Sequence, residues 1–239
     1  MFGIPSSINI INKMNAFIKK DKYKNSYKVV VTPPFTLIEK FSKNIKGGKV
    51  EIGAQNCFHK DFYSSDTGAI SAYMLKKINS KYVIIGHSDN RAEGDNNKIL
   101  KEKVKVALTN NLKVIFCIGE NNIEKKNKQT YKVLNNQLTK VLLPKFNTNK
   151  LLIAYEPIWS IGTGKIPNNH ELTVNAGYIK KIIKKIYRNK NAPPLLYGGS
   201  VDSNNVKHFK EITSIDGFLI GGASKSSKKF IDIIKNYYR

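Results

Sequence analysis

At 239 residues and 41% hydrophobic content the chain is long enough for one α/β barrel, and its apolar runs stay far short of the ~20 residues of a membrane span. Only two cysteines occur, Cys57 and Cys117, each ending an apolar run; this excludes a disulfide scaffold or a cysteine-held metal cluster and points to a reducing cytoplasm. The formal charge of +24 is carried by lysine, with arginine only at Arg91, Arg188 and Arg239, which argues against a nucleic-acid partner that arginine forks would read and leaves a positive field that attracts anionic substrates.

The N-terminus lacks the basic start, long apolar core and small-residue cleavage site of a secretory signal. Ser6 or Ser7 can cap a helix over residues 8–20, with Ile8, Ile11, Met14 or Asn15, and Ile18 on one face. Residues 27–31 form a strand that stops at Thr32-Pro33-Pro34, and a short helix follows over 36–44. Residues 50–54 are a second strand, then a polar loop with Asp66-Thr67-Gly68 leads into a helix over 69–77. A third strand, 81–86, ends at His87, and a helix follows over 97–110. A fourth strand, 114–118, ends in Gly119-Glu120 ahead of a helix over 126–143. The fifth, 151–155, ends at Glu156, and an amphipathic helix covers 171–187. Residues 195–197 and 217–220 are the last strands, with helices over 204–209 and from Ser224 or Ser226 onwards. Strands alternating with helices from end to end predict right-handed crossovers and a parallel sheet buried on both faces. No linker or composition break divides residues 1–239, so one domain is expected. Seven strands are legible, one short of an eight-fold barrel, and the shortfall lies at the N-terminus.

Polar and glycine-rich loops follow the strand ends, where barrels and open α/β sheets place ligands. In Leu151–Lys165 a carboxylate, Glu156, stands at a strand tip before Pro157, Trp159 and the turn Ile161-Gly162-Thr163-Gly164. That stretch alone fits equally a capped turn or a base beneath a lid. His87, at another strand tip, shifts the balance: a carboxylate base and a neutral imidazole donor suit proton abstraction next to a carbonyl. His59, His170 and His208 lack such settings. The loops Ile161–Gly164, Gly198-Gly199-Ser200 and Gly221-Gly222-Ala223 expose backbone N–H groups that can cradle an anion. No metal-ligand cluster is apparent.

The segments AYEPIWSIGTGK, YVIIGHSDNR, GAQN, CIGE, YGGSV and IDGFLIGGAS, in order and over about residues 6–239, together resemble the triosephosphate isomerase family. The resemblance implies a (β/α)8 barrel that interconverts dihydroxyacetone phosphate and D-glyceraldehyde 3-phosphate through an enediolate, without cofactor, as a cytoplasmic homodimer of glycolysis and gluconeogenesis. It implies Glu156 as the base that shuttles the proton and His87 as the uncharged hydrogen-bond donor. A helix N-terminus after His87 would keep that imidazole neutral. Gly162, Ser200, Gly221 and Gly222 match the phosphate grip, and Pro157–Ile166 matches the lid that excludes water and suppresses phosphate elimination. Cys117 and Arg91 match supporting positions.

The family's opening strand ends in Asn-Trp-Lys-Met-Asn or close to it, and its Asn and Lys touch the substrate. Lys13-Met14-Asn15 looks like the end of that motif, but the helical periodicity places Lys13 on the polar side of the first helix. Ser6-Ser7 therefore aligns just after the motif, and Met1–Pro5 stands in its place. Two expectations follow: a strand encoded upstream of a misplaced start, or a catalytically impaired phosphate-binding barrel lacking the Asn-x-Lys. Asp89 replaces the family's glutamate after His-Ser, and Ala69 replaces the acid after Thr-Gly in the dimer-contact loop.

Overall fold

The computed structural model describes residues 3–45, 47–61, 64–188 and 192–239. Seven strands form one parallel sheet in sequence order: β1 (Val29–Val31), β2 (Val50–Ala54), β3 (Tyr82–Ile85), β4 (Lys113–Ile118), β5 (Leu151–Tyr155), β6 (Leu195–Tyr197) and β7 (Gly217–Phe218). Helix α1 (Ile8–Lys20) leads into β1. The crossovers carry α2 (Phe35–Asn44), then α3 (Ala72–Lys77), then α4 (Ser88–Ala92) with α5 (Asn97–Thr109), then α6 (Asn122–Lys126) with α7 (Thr130–Val141), then α8 (Asn169–Ile186). A 3-10 turn, Val206–Glu211, joins β6 to β7, and α9 (Ser227–Tyr238) ends the chain.

Alternation along the strands sorts two cores. Val83 and Ile85 of β3, Val114, Phe116 and Ile118 of β4, and Ile153 and Tyr155 of β5 pack outward in one cluster with helix residues such as Leu100, Val104, Leu134, Leu138, Ile179 and Ile183. Tyr82, Ile84, Ile115, Cys117 and Ala154 point the other way and meet one another inside the curled sheet. Removing such aliphatic side chains from water stabilises the fold by about 1.5–3 kcal/mol each. This two-sided burial is why the strands read as continuous apolar runs.

Among the described residues the chain enters through α1 and the sheet has seven strands, with β1 at one edge and β7 at the other. The helical layer nevertheless closes across that seam. Helix α1 packs against α9, the Tyr238 ring lies 5.8 Å from Tyr23 and 5.2 Å from Tyr27, and Tyr238 Oη donates to Ser26 O at 3.1 Å. Lys13 is exposed on α1, as its helical phase predicts, whereas Met14 and Asn15 are buried. Asn15 Oδ1 accepts from Lys49 N and Val50 N, each at 2.9 Å, and so fixes the start of β2. Met1 and Phe2, part of the segment replacing the family motif, lie outside the described residues.

Several boundaries differ from expectation, for local reasons. The helix expected over 126–143 is broken because Lys128 takes a left-handed φ of 56°; α6 before it is closed by a reciprocal cap between Asn121 and Glu124. The helix expected from residue 69 begins at Ala72, where Ser71 Oγ accepts from Met74 N. Helix α8 starts earlier than expected, at Asn169, because Asn168 caps Glu171 N. Ser7 stands at the N-cap of α1 without capping it; its Oγ accepts from Ile4 N instead. The segment 204–209 forms a 3-10 turn over Val206–Glu211 rather than an α-helix.

Candidate active site

The alternation that sends Tyr155 outward and Ala154 inward places Glu156 on the inner side at the carboxyl end of β5. Glu156 N donates to Ile118 O at 2.7 Å, and the residue is only 4% exposed. Burial pushes its carboxyl above the ordinary glutamate value of 4.5; the neighbouring His87, the Cys117 thiol and Arg91 pull it back, while Asp89 adds to the rise. A base raised by desolvation yet held by nearby donors is suited to taking a proton from carbon near neutral pH. Cys117, buried beside it, is pushed well above its ordinary value by burial and by the Glu156 carboxylate. It therefore stays a thiol and donates to Glu156.

His87 follows Gly86, whose φ of 80° turns the chain at the tip of β3. It caps α4: Asp89 N donates to His87 Nδ1 at 3.2 Å. With Nδ1 accepting, a neutral imidazole carries its proton on Nε2, and Nε2 lies 3.5 Å from Glu156 Oε1. The helix start anticipated after His87 is thus present and sets the tautomer. Arg91, on the same short helix, donates from Nε to Gly86 O at 2.8 Å and from Nη2 to Cys117 O at 3.0 Å. It braces the ends of β3 and β4 together.

Two glycines admit Glu156 by having no side chain. A Cβ on Gly119 would lie 1.8 Å from Glu156 O, and one on Gly198 would lie 2.6 Å from Glu156 Cγ. Gly119 is in turn clamped by Gln137, which accepts from its N at 2.8 Å and donates to its O at 3.1 Å. Glycine after a strand reads as a turn in any sequence, so neither close approach nor Gln137 was legible beforehand.

Beyond Pro157 the chain makes a 3-10 turn, Ile158–Ser160, and then the glycine-rich loop. Trp159 Nε1 donates to Glu120 Oε1 at 2.9 Å, with Lys125 Nζ 3.4 Å from its ring centroid. Glu120 is fully buried; burial raises its carboxyl, and hydrogen bonds from Trp159 and Tyr155 oppose the rise. The expected anion-binding residues occupy neighbouring loops. Gly162, with a φ of 68°, lies in the segment expected to form the lid. Ser200 lies after β6, where its Oγ donates to Ser160 O at 2.7 Å and accepts from Gly164 N at 3.1 Å. The segment 160–164 is thereby tied to the loop after β6. Gly221 and Gly222 follow β7, with open space where a side chain would be. His59, His170 and His208 take no part in these contacts.

The profile of the family described as triosephosphate isomerase matches residues 5–237. The chain is 38% identical over 225 residues to the triosephosphate isomerase of Dictyoglomus thermophilum, covering 92% of this chain and 90% of that one. It is 38% identical over 237 residues to that of Wolbachia pipientis wMel, covering 98% and 90%. Its structure is similar to the crystal structure of triosephosphate isomerase from Bartonella henselae, with a TM-score of 0.90 at 29% identity over 100% of this chain and 96% of the other. A match of this extent, carried on a barrel sheet with a carboxylate and an imidazole at its carboxyl end, means that the chain belongs to the triosephosphate isomerase family.

Proposed function

We propose that the chain interconverts dihydroxyacetone phosphate and D-glyceraldehyde 3-phosphate with Glu156 as the base and His87 as the hydrogen-bond donor. The observation that carries these roles is the buried Glu156 carboxylate, raised by desolvation, 3.5 Å from an imidazole whose Nδ1 is already engaged. Glu156 takes a proton from one substrate carbon and returns it to the adjacent one. His87 Nε2–H binds the oxygens as negative charge develops, which stabilises the enediolate. Backbone N–H groups around Gly162, Gly221 and Gly222, with Ser200, hold the phosphate. The lid over residues 157–166 keeps water from the intermediate.

Membership of the family over nearly the whole chain favours an active enzyme over an impaired barrel. Lys13 is exposed on α1 and has no part in the site; among the described residues Arg91 is a cation whose charge acts on Glu156. One domain over residues 1–239 carries the activity, supported by a single outer core that runs from Ile11 to Ile234. The protein works in the cytoplasm as a homodimer, supported by two free, buried cysteines and by family membership. Among the described residues no helix is long and apolar enough to cross a membrane.

The test is isomerisation by the purified chain in a coupled assay, with 2-phosphoglycolate as a competing ligand. Turnover blocked by 2-phosphoglycolate is expected; tight binding of that ligand with no turnover would return the impaired barrel. His87→Ala is expected to lower kcat about 10²–10³-fold, the usual loss for one preorganised donor at a developing oxyanion, with little change in KM. Steady-state kinetics of the variant decide it, and a loss confined to KM would remove His87 from the chemical step.

A further inference from the structure

Strand β4 runs on past the end of its neighbour β3. In a parallel sheet successive residues turn their N–H and C=O groups to alternate sides. Ile118 O and Glu120 O face the β5 side, where they accept from Glu156 N at 2.7 Å and Ile158 N at 2.9 Å. Cys117 and Gly119 therefore turn theirs to the β3 side. That strand ends at Ile85, whose register partner on β4 is Phe116. Beyond this point two side chains stand where a strand would be. Arg91 Nη2 donates to Cys117 O at 3.0 Å. Gln137 Oε1 accepts from Gly119 N at 2.8 Å, and Gln137 Nε2 donates to Gly119 O at 3.1 Å.

A primary amide carries a carbonyl and an N–H on one planar group, so it can meet both backbone groups of a single residue. Gly119 N–H calls for an oxygen and Gly119 O for an N–H, which also sets the way the amide points. Gln137 is half-buried on α7, where Leu134, Leu138 and Val141 bury the helix in the outer core. Its amide therefore links a packed helix to the segment 117–120. That segment holds Glu156 in three ways. Ile118 O accepts from its N–H, and the Cys117 thiol donates to its carboxylate. Gly119 lies so close to its backbone that an added Cβ would be 1.8 Å from Glu156 O.

We infer that Gln137 is a positioning residue of the isomerisation: its amide completes the β4 ladder beyond the end of β3 and so holds Gly119, and through it the Glu156 backbone, in register for proton transfer. The inference rests on the functional reading above and adds a residue of the outer helical layer to it. Without the amide, Gly119 N and O lose their partners, and the strand tip must move to find others. Misplacement of a reacting group by about 1 Å costs about 100-fold in rate. Gln137 acts through the position of the base and not through a contact with substrate, so its removal weighs on the chemical step and spares binding.

Gln137→Ala and Gln137→Glu test this in the purified full chain, by steady-state isomerisation over a pH series with thermal unfolding recorded for each. Asn136→Ala, an exposed change one residue away on α7, is the control. Gln137→Ala is expected to lower kcat about 10-fold or more with KM changed far less, and Asn136→Ala to change neither. Gln137→Glu keeps the shape of the amide. Its ionised carboxylate accepts from Gly119 N but repels Gly119 O, whereas its protonated form donates to that oxygen and restores both bonds. The kcat of Gln137→Glu relative to wild type at the same pH is therefore expected to climb several-fold as pH falls from about 8 to about 5. Taking the ratio removes the titration of Glu156 itself. A change that only loosened the fold would lower the melting temperature and leave the ratio flat. A folded Gln137→Ala chain with wild-type kcat, a loss confined to KM, or a pH-independent Gln137→Glu ratio overturns the inference. A wild-type chain without isomerisation overturns the functional reading and this inference together, whereas an active wild type beside unchanged variants overturns this inference alone.

Discussion

Glu156→Gln is expected to lower kcat/KM by about 10²–10⁴-fold, the usual contribution of a positioned general base, and at the same time to raise thermal stability near neutral pH. The two effects share one cause. Burial raises the Glu156 carboxyl above its ordinary value, so the folded protein holds that proton more tightly than the unfolded chain does. Stability from this group is full below the unfolded value of 4.5 and is lost as pH rises through the raised folded value. At about pH 8 the wild type keeps an ionised carboxylate in a desolvated site, while a neutral amide of similar shape avoids that cost. Thermal unfolding should therefore show Glu156→Gln melting above wild type in this range, with the gap closing as pH falls towards 4.5. The pH profile of wild-type kcat/KM should carry an acidic limb above the ordinary glutamate value, since only the carboxylate accepts a proton. An amide variant less stable than wild type at all pH values would show that hydrogen bonding outweighs desolvation at Glu156.

Gly119→Ala is expected to be the most damaging substitution that adds a single methyl group. The new Cβ would meet the backbone of Glu156, with O at 1.8 Å and C at 2.5 Å, so no side-chain rotation relieves it. Either β4 or β5 must shift at its carboxyl end, where Glu156 N donates to Ile118 O and where Gln137 clamps Gly119 from the other side. Overpacking costs typically about 1–3 kcal/mol, and displacement of a reacting group by about 1 Å costs about 100-fold in rate. Gly177→Ala is the control: it lies on the exposed face of helix α8 with nothing near its added Cβ, and should stabilise by about 0.4–1 kcal/mol with activity unchanged. Denaturant unfolding and kcat measured on both variants settle the contrast. Equal behaviour of the two would mean that the β4 and β5 tips yield freely.

Glu156, His87, Ser200 and the three glycine loops could be picked out as strand-tip residues, because in a parallel sheet every carboxyl-end loop opens on the same side. Because the strands read as continuous apolar runs, the facing of Cys117 and Glu156 to one side emerged only in the folded sheet. A helix start after His87 was implied by the family resemblance, whereas its capping through Nδ1 was not read from the sequence. The close approach of Gly119 and Gly198 to Glu156 and the Gln137 clamp were not legible. Each depends on distances between segments at least 18 residues apart, and a glycine within a loop carries no periodic signal.

By itself the sequence determined the strand and helix alternation and marked Glu156 and His87 as strand-tip candidates, since local apolar runs and their ends suffice for these; the roles expected of them came with the family resemblance. Only the tertiary structure decided which nitrogen of His87 faces Glu156, that burial lifts that carboxyl above its ordinary value, and which glycines make room for it. Those properties arise from desolvation and hydrogen-bond geometry, which exist once strands distant in sequence are brought within 2–4 Å of one another.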